Sequence, residues 1–517
     1  MSDHKKRRLS LAVLCCFLAF ALGGCKSSVD ALNKDISVTL PPTSVSYKAP
    51  TGDTDQELTQ SILLFVPNTA GTRLIALPEQ MTLPAARHPA EAVLRQLFAF
   101  TGNEEGRPLS PDTVLQLSPV SPVEISGETA TVNLGASALS VSHAEFYIIC
   151  QAIANTLTQW DDIRYVNVLV SSMQPGLDVG ASIPGGCFVQ NLNDSLDTLS
   201  SRLTSQVTAG SRKASLAATL YYPAYAGRGI LAETRTVTFP DLDKPSLVLT
   251  LMEALSQPAQ TLDHSPALPV LSEYLSEDPV VQEIAVTGGH KVVLHFSQNF
   301  NDALIAAGVP RSVMMAALTC TVTGFIPGIN GMTVYIGEEL VSAVVPNGIY
   351  EGAGEVITFT DGVMRRGDFS RFILSDCVLY FGNGQDHLQA VLRPIPYYSA
   401  RSARYLLGCL LQGPQSADSI SGVQSILPEG LNDADILGVG LNGNVLLLNL
   451  SQRFASAVSE LDETQERLMI YGIVNTLCRL PAVHSVCFFV QGIQPESLAG
   501  HLYLPGEFMK NSAIIAE

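Results

Sequence analysis

A glycine turn between two apolar strands, then an amphipathic helix, then a third apolar strand, recurs three times in this chain of 517 residues. The third copy reads ILGVGLNGNVLLLNLSQRF from Ile436, and then TQERLMIYGIVNTLCRLPAVHSVCFFV up to Val490. Apolar residues flank Asn442-Gly443, a dipeptide that predicts a type I′ hairpin because both central residues of that turn need positive φ. After Phe454 the period changes. Leu468, Tyr471, Ile473, Val474 and Leu477 fall mostly three and four apart, which puts one apolar face on a helix. Val483, Val486, Phe488 and Val490 then read as a strand.

The first copy has VEISGETATVNL with a turn at Ser126-Gly127, then AEFYIICQAIANTLTQW and YVNVLV. The second has VQEIAVTGGHKVVLHF with a turn at Gly288-Gly289, then PRSVMMAALTCTVTGF and MTVYIG. Leu134, Phe296 and Leu450 fall at one position of the unit. Phe296-Ser297-Gln298-Asn299-Phe300 matches Leu450-Ser451-Gln452-Arg453-Phe454, and Asn155-Thr156-Leu157 matches Asn475-Thr476-Leu477. In copy two, the copy-three spacing sets Val322-Thr323 against Thr476-Leu477. Each copy also has an upstream half of two extended runs and a short amphipathic helix. The whole unit is strand, strand, helix, hairpin, helix, strand. This order predicts an α+β fold of three tandem small α/β sandwich domains, each with a mixed sheet and two helices on one face. A repeat of this length is a domain and not a solenoid unit.

The expected divisions are a signal peptide over 1–24, a lipidated cysteine and flexible tether over 25–58, and domains over 59–190, 215–375 and 376–517. A linker or helix covers 191–214, where Leu192, Leu196, Leu199 and Leu203 stand at helical steps. The middle domain carries a β-rich insertion over 338–371, with turns at Pro346-Asn347-Gly348 and Asp361-Gly362 that predict extra β-hairpins. Copy three ends on a tail kindred to that of copy one: Gln494-Pro495, Leu498 and Gly500 echo Gln174-Pro175, Leu177 and Gly180.

This order of elements resembles the GerMN domain, the module named for the spore germination and sporulation lipoprotein GerM. The likeness rests on the Thr-Leu that ends the second helix, the valine-rich strand after it and the element pattern. It runs from near Leu63 to near Phe508. The resemblance implies a membrane-anchored envelope protein of sporulation or germination. It also implies a fold like the ring-building modules of secretion-type assemblies.

The chain begins as a targeting segment. Lys5 to Arg8 form a positive region and Leu9 to Leu22 an apolar core, too short for a comfortable membrane span. It ends Leu22-Gly23-Gly24-Cys25, which resembles a bacterial lipobox with Cys25 as the lipidated residue. A plain signal peptide cut nearby is the alternative. Localisation is then export, with a lipid anchor on the outer face of the cytoplasmic membrane.

Formal net charge is −18, and removing the first 24 residues takes away four positive charges and one negative, leaving −21. Such a chain repels phosphate backbones, so nucleic acid is disfavoured as a partner. Ten cysteines are present. Cys15 and Cys16 leave with the signal. The seven beyond Cys25 lack any Cys-x-x-Cys and read as buried free thiols, although one disulfide is open to an exported protein.

Catalytic and cofactor motifs give nothing. Gly438-Val-Gly440-Leu-Asn-Gly443 spells G-x-G-x-x-G, but a strand follows where a dinucleotide site needs a helix start. There is no G-x-S-x-G, Walker loop or H-E-x-x-H. His143, His290, His295, His387, His484 and His501 share no repeat position and read as structural rather than as metal ligands. Glu338-Glu339 and Asp161-Asp162 are adjacent, so on a strand they point to opposite faces. The expectation is a non-enzymatic scaffold with no cofactor or metal, acting through other envelope or sporulation proteins, with homo-oligomers an open option. The rivals are a peptidoglycan hydrolase and a ligand-binding lipoprotein.

Overall fold

The structure is a computed structural model that describes residues 47–54, 57–177, 183–199, 213–262, 265–284, 289–347, 354–416 and 418–516. In repeat one, β1 (Glu57–Pro67) and β2 (Leu74–Pro84) form an antiparallel ribbon, followed by α1 (Ala90–Ala99). Then come the hairpin β3 (Val123–Ser126) and β4 (Thr129–Leu134), α2 (His143–Leu157), and β5 (Tyr165–Val170) parallel to β4. A parallel pair needs a crossover, and α2 supplies it. Ser142 starts that helix by accepting the Glu145 N–H, as an N-cap serine does.

Repeat two repeats the plan with β6 (Ala214–Pro223), β7 (Ile230–Phe239), α3 (Lys244–Ser256), β8 (Val280–Glu283) and β9 (His290–Phe296). Next are α4 (Phe300–Ala306), α5 (Arg311–Phe325) and β10 (Ile329–Ile336). Among the described residues its insertion holds three short strands: β11 (Glu339–Leu340) pairs with β10, while β12 (Ala343–Val344) and β13 (Ile357–Thr358) pair with each other. Repeat three has β14 (Leu374–Gly382), β15 (Leu388–Pro396), α6 (Ala403–Leu411), β16 (Ile436–Asn442) and β17 (Val445–Leu450). It closes with α7 (Gln452–Val458), α8 (Glu463–Leu477), β18 (Ser485–Val490) and β19 (Phe508–Met509). In each repeat the ribbon is one sheet and the hairpin with its parallel strand another. Each repeat has its own apolar core, within one unit that spans Ala49–Glu517.

Two hydrogen bonds recur in all three copies. The backbone N–H of Phe65, Tyr221 and Tyr380 on the ribbons donates to the hydroxyl of Thr156, Thr321 and Thr476, at 3.1, 3.0 and 3.2 Å. Thr321-Val322, and not Val322-Thr323, therefore stands against Thr476-Leu477. The segment from the hairpin to the helix end is one residue shorter in copy two than in copy three. After each last strand, Ser171, Gly337 and Gln491 take positive φ, and their N–H groups donate to Leu134, Phe296 and Leu450. The position aligned from sequence is thus the acceptor that starts each tail.

The turns differ in type from the expectation. Ser126 pairs with Thr129 and Asn442 with Val445, so the loop residues are Gly127-Glu128 and Gly443-Asn444. Only the first residue of each has positive φ, +55° at Gly127 and +60° at Gly443. That is the type II′ pattern, with glycine at the first central position.

Two expected boundaries move. Residues 191–199 belong to repeat one and not to a linker. Asn155 and Asn191 exchange hydrogen bonds at 2.8 Å in both directions, Ser195 bridges to Arg73, and Leu196 and Leu199 are buried. Asn475 and Asn511 make the same reciprocal pair in repeat three, at 2.9 and 2.8 Å. Leu203 lies outside the described residues. The stretch given to a flexible tether ends earlier than Leu58: residues 50–54 lie on repeat three, and Glu57 already starts β1.

Candidate functional site: the joints between repeats and a docked N-terminal segment

Cys25 and the lipobox residues Leu22, Gly23 and Gly24 lie outside the described residues. What the structure places are the joints between repeats, the first of which holds a buried ion pair.

All six residues of β4 are buried, Thr129 and Thr131 among them, and so is Glu124 beside them on β3. Alternation sends Ala130, Val132 and Leu134 into the core of repeat one and the polar set to the opposite face. The β6–β7 ribbon of repeat two covers that face. Thr129 and Thr234 hydroxyls meet at 2.8 Å, and the Ala232 N–H donates 3.0 Å to Ser126 Oγ. Asn167 Nδ2 donates 3.0 Å to the Gly324 carbonyl. Gly127 is needed here twice over, for its positive φ and because a Cβ would press on the Ala232 carbonyl.

Arg366, from the insertion of repeat two, fills the centre of this joint. Its Nε and Nη2 donate to Glu124, Nη2 also donates 2.6 Å to Tyr221 Oη, and Nη1 donates 3.3 Å to the Cys320 carbonyl. Both charged side chains are under 5% exposed, 4% for Arg366 and 3% for Glu124. Burial works against the guanidinium charge, but Glu124 and Tyr221 outweigh it and hold Arg366 well above its ordinary pKa. Burial also pushes the Cys320 thiol up to about 12.

Repeats one and three meet through His88, Asp162 and Arg401. Arg401 Nη2 donates 2.7 Å to Asp162 Oδ2, and His88 Nε2 lies 3.4 Å from Asp162 Oδ1. His88 is edge-on to Trp160, centroids 5.4 Å apart. Burial lowers the pKa of His88. Burial raises that of Asp162, but His88 and Arg401 together hold it below the usual carboxylate range. Sequence reading passed over His88, since one histidine in a polar loop carries no periodicity.

The third joint is an N-terminal segment on the edge of β16. The Gly52 and Thr54 N–H groups donate to the Leu437 and Val439 carbonyls at 2.9 and 3.1 Å, and Val439 N–H returns a bond to Asp53 Oδ1. Arg404 grips the Asp53 carboxylate with Nε and Nη2 at 2.5 and 2.8 Å. Asn449 Nδ2 donates 2.9 Å to the Pro50 carbonyl. Hydrogen bonding to Arg404 lowers the Asp53 pKa. Two glycines of the G-x-G-x-x-G spelling have their role here. A Cβ on Gly438 would stand 2.5 Å from the Gly52 carbonyl oxygen, and one on Gly440 2.8 Å from Thr54 Oγ1.

Other buried ions are tied to structure. Glu466 accepts the N–H groups of Leu498, Ala499, His501 and Leu502, pinning the tail of repeat three. Arg393 pairs with Asp418, and Arg453 with Asp435. His295 stacks on Tyr335 and His387 pairs with Asp386. The seven described cysteines are free. Among the described residues no three His, Cys, Asp or Glu side chains are placed to hold a metal, and no single helix is long and apolar enough to cross a membrane. A polar cleft of about 400 Å³ opens between repeats one and two, lined by Glu128, Arg164 and Tyr165 on one side and Glu233, Arg235 and Thr261 on the other.

The family described as Germane, sporulation and spore germination, matches residues 378–496, nearly all of repeat three short of its tail. Three solved structures are similar to the chain. Tandem GerMN domains of the sporulation protein GerM from Bacillus subtilis are 15% identical, with a TM-score of 0.21, covering 58% of this chain and 100% of that one. The first GerMN domain of the same protein is 16% identical, with a TM-score of 0.20, covering 27% and 96%. A Clostridium perfringens structure, described as a candidate lipoprotein, is 22% identical, with a TM-score of 0.19, covering 26% and 88%. No curated protein matches.

Proposed function

From the premise that this is a GerMN-type protein, we propose that it is a lipid-anchored assembly protein of the cell envelope, acting in sporulation or germination without catalysis. The observation that carries this reading is the use made of buried ionisable groups. Glu124, Asp418, Asp435 and Glu466 are each held by arginines or backbone N–H groups that join elements or repeats. Reactive sites instead keep such groups in a cleft, matched to substrate. Three like domains on one anchor multiply docking surfaces and raise effective concentration at a membrane. The anchor is Cys25, on the strength of the positive region, apolar core and Leu-Gly-Gly-Cys ending. The partners are other envelope or sporulation proteins.

The test pairs localisation with activity. Cys25→Ala should abolish labelling by a palmitate analogue and release the protein from membranes. Affinity capture from membranes of sporulating cells should recover partner proteins, and the purified chain should release no muropeptides. Muropeptide release that a single polar substitution removes would overturn the non-catalytic reading. Labelling that survives Cys25→Ala would overturn the anchor.

A second reading, a ligand-binding lipoprotein, is favoured by the polar cleft between repeats one and two. Among the described residues, Glu233 Oε1 is buried there without a hydrogen-bond partner, 3.6 Å from Arg235 Nη1.

A further inference from the structure

Residues 50–54 occupy a slot that the fold itself provides. In repeat one, Asn133 near the end of β4 accepts the Ser172 N–H and donates to the Val120 carbonyl, which belongs to the segment just before β3. In repeat three, the matching Asn449 accepts the Gly492 N–H, but donates to the Pro50 carbonyl. A segment nearly 400 residues away in sequence thus stands where repeat one uses its own chain. The slot reads several features of its occupant. Asn449 takes a carbonyl, Arg404 takes a carboxylate two-pronged, the β16 edge takes two N–H groups, and Gly438 and Gly440 leave room for the backbone. Main-chain pairing gives affinity and side-chain pockets give selectivity in recognition by strand addition.

We propose that Arg404, Gly438, Gly440 and Asn449 form a peptide-recognition site whose ligand is the chain's own Pro50–Thr54 segment, and that pull on the N-terminal anchor is delivered to repeat three through it. The second half rests on the lipid-anchor reading above. Without the docked segment, the anchor would join the body at Glu57, the start of β1 in repeat one. With it, the tether ends on repeat three, near the start of β16. A chain that first meets the body at repeat three, and not at β1, makes repeat three the end that an anchor holds nearer the membrane.

The experiment uses the full-length chain in vesicles of phosphatidylethanolamine and phosphatidylglycerol that carry an acceptor-labelled lipid. A fluorescent amino acid replaces Ala434, exposed before β16, or Arg95, exposed on α1. Hydrogen exchange is followed over residues 49–54 in the same samples. The expected result is exchange at Gly52 and Thr54 at least tenfold slower than in Asp53→Ala or Gly438→Ala. Energy transfer from position 434 should exceed that from position 95, and the excess should fall at least twofold in both variants. Asp53→Ala leaves repeat three intact, which separates loss of docking from misfolding. Free exchange at both amides in the unaltered chain would overturn the recognition site. Release of the amides with unchanged energy transfer would overturn the delivery of pull to repeat three. A chain that does not bind vesicles would overturn the anchor reading and that delivery with it, while the exchange measurement still decides the site.

Discussion

Arg366 and Glu124 are 242 residues apart in sequence and form a buried ion pair across the joint between repeats two and one. The guanidinium is further bonded to Tyr221 and lies 5.0 Å from its ring centroid. Two repeats with separate cores are thereby held by charges that neither can keep buried alone. Repeats one and two should therefore unfold together.

Breaking this pair from either side should cost about 3–5 kcal/mol, because the remaining charge is stranded in a dry site. Arg366→Met and Glu124→Gln each test it by chemical denaturation. The double variant should be more stable than the sum of the two losses implies, since neither charge is then left alone. Additive losses would mean that the two groups do not act as a pair.

The repeated threonines give a comparison within one molecule. Thr156→Val, Thr321→Val and Thr476→Val each leave a buried ribbon N–H without its acceptor, a loss of about 1–3 kcal/mol. The three variants should lower stability by similar amounts, each in its own repeat. An unaffected Thr321→Val protein would show that the middle copy is misaligned by the one residue corrected above.

Gly443 has φ +60° and open space around it. Gly443→Val should therefore act through backbone strain alone, about 1–3 kcal/mol, and lower the melting temperature of repeat three. An unchanged melting temperature would place the strain elsewhere.

Acid should loosen the joint between repeats one and three. His88 has a folded pKa below its ordinary 6.5, so the unfolded chain binds more protons as pH falls through that value. Its contribution is present above pH 6.5 and is lost below it. Asp162, also lowered, adds a loss of the same sign at lower pH. Trp160 is the sole tryptophan and lies against His88, so its emission reports the joint. The fall in stability between pH 7.5 and 5 should be smaller in His88→Gln, and an equal fall in both proteins would remove His88 from the account.

Sequence carried the local half of this structure. Hairpins, helices and parallel strands follow from periods of two and 3.6 and from glycine turns, and Leu134, Phe296 and Leu450 proved to be equivalent acceptors. The middle copy slipped by a residue because spacing was carried over from copy three, where the connection is longer. The joints were out of reach for a different reason. Asp53 and Arg404 are 351 residues apart, and no periodic pattern links a lone aspartate to a lone arginine. The glycines at 438 and 440 were the available signal, since two glycines in a strand mark a close approach of another backbone.

Repeats one and three close their own tails with an asparagine pair, whereas the middle repeat has Cys320 at that position and turns its tail outward to brace repeat one. Excising the middle repeat in frame would leave Glu124 sealed against nothing and strip the polar face of β4 of its cover. A cell carrying such a deletion would lose the shape of the first repeat as well. Its phenotype would report a broken neighbour, so the contribution of the middle repeat is better sought by surface substitutions than by removal.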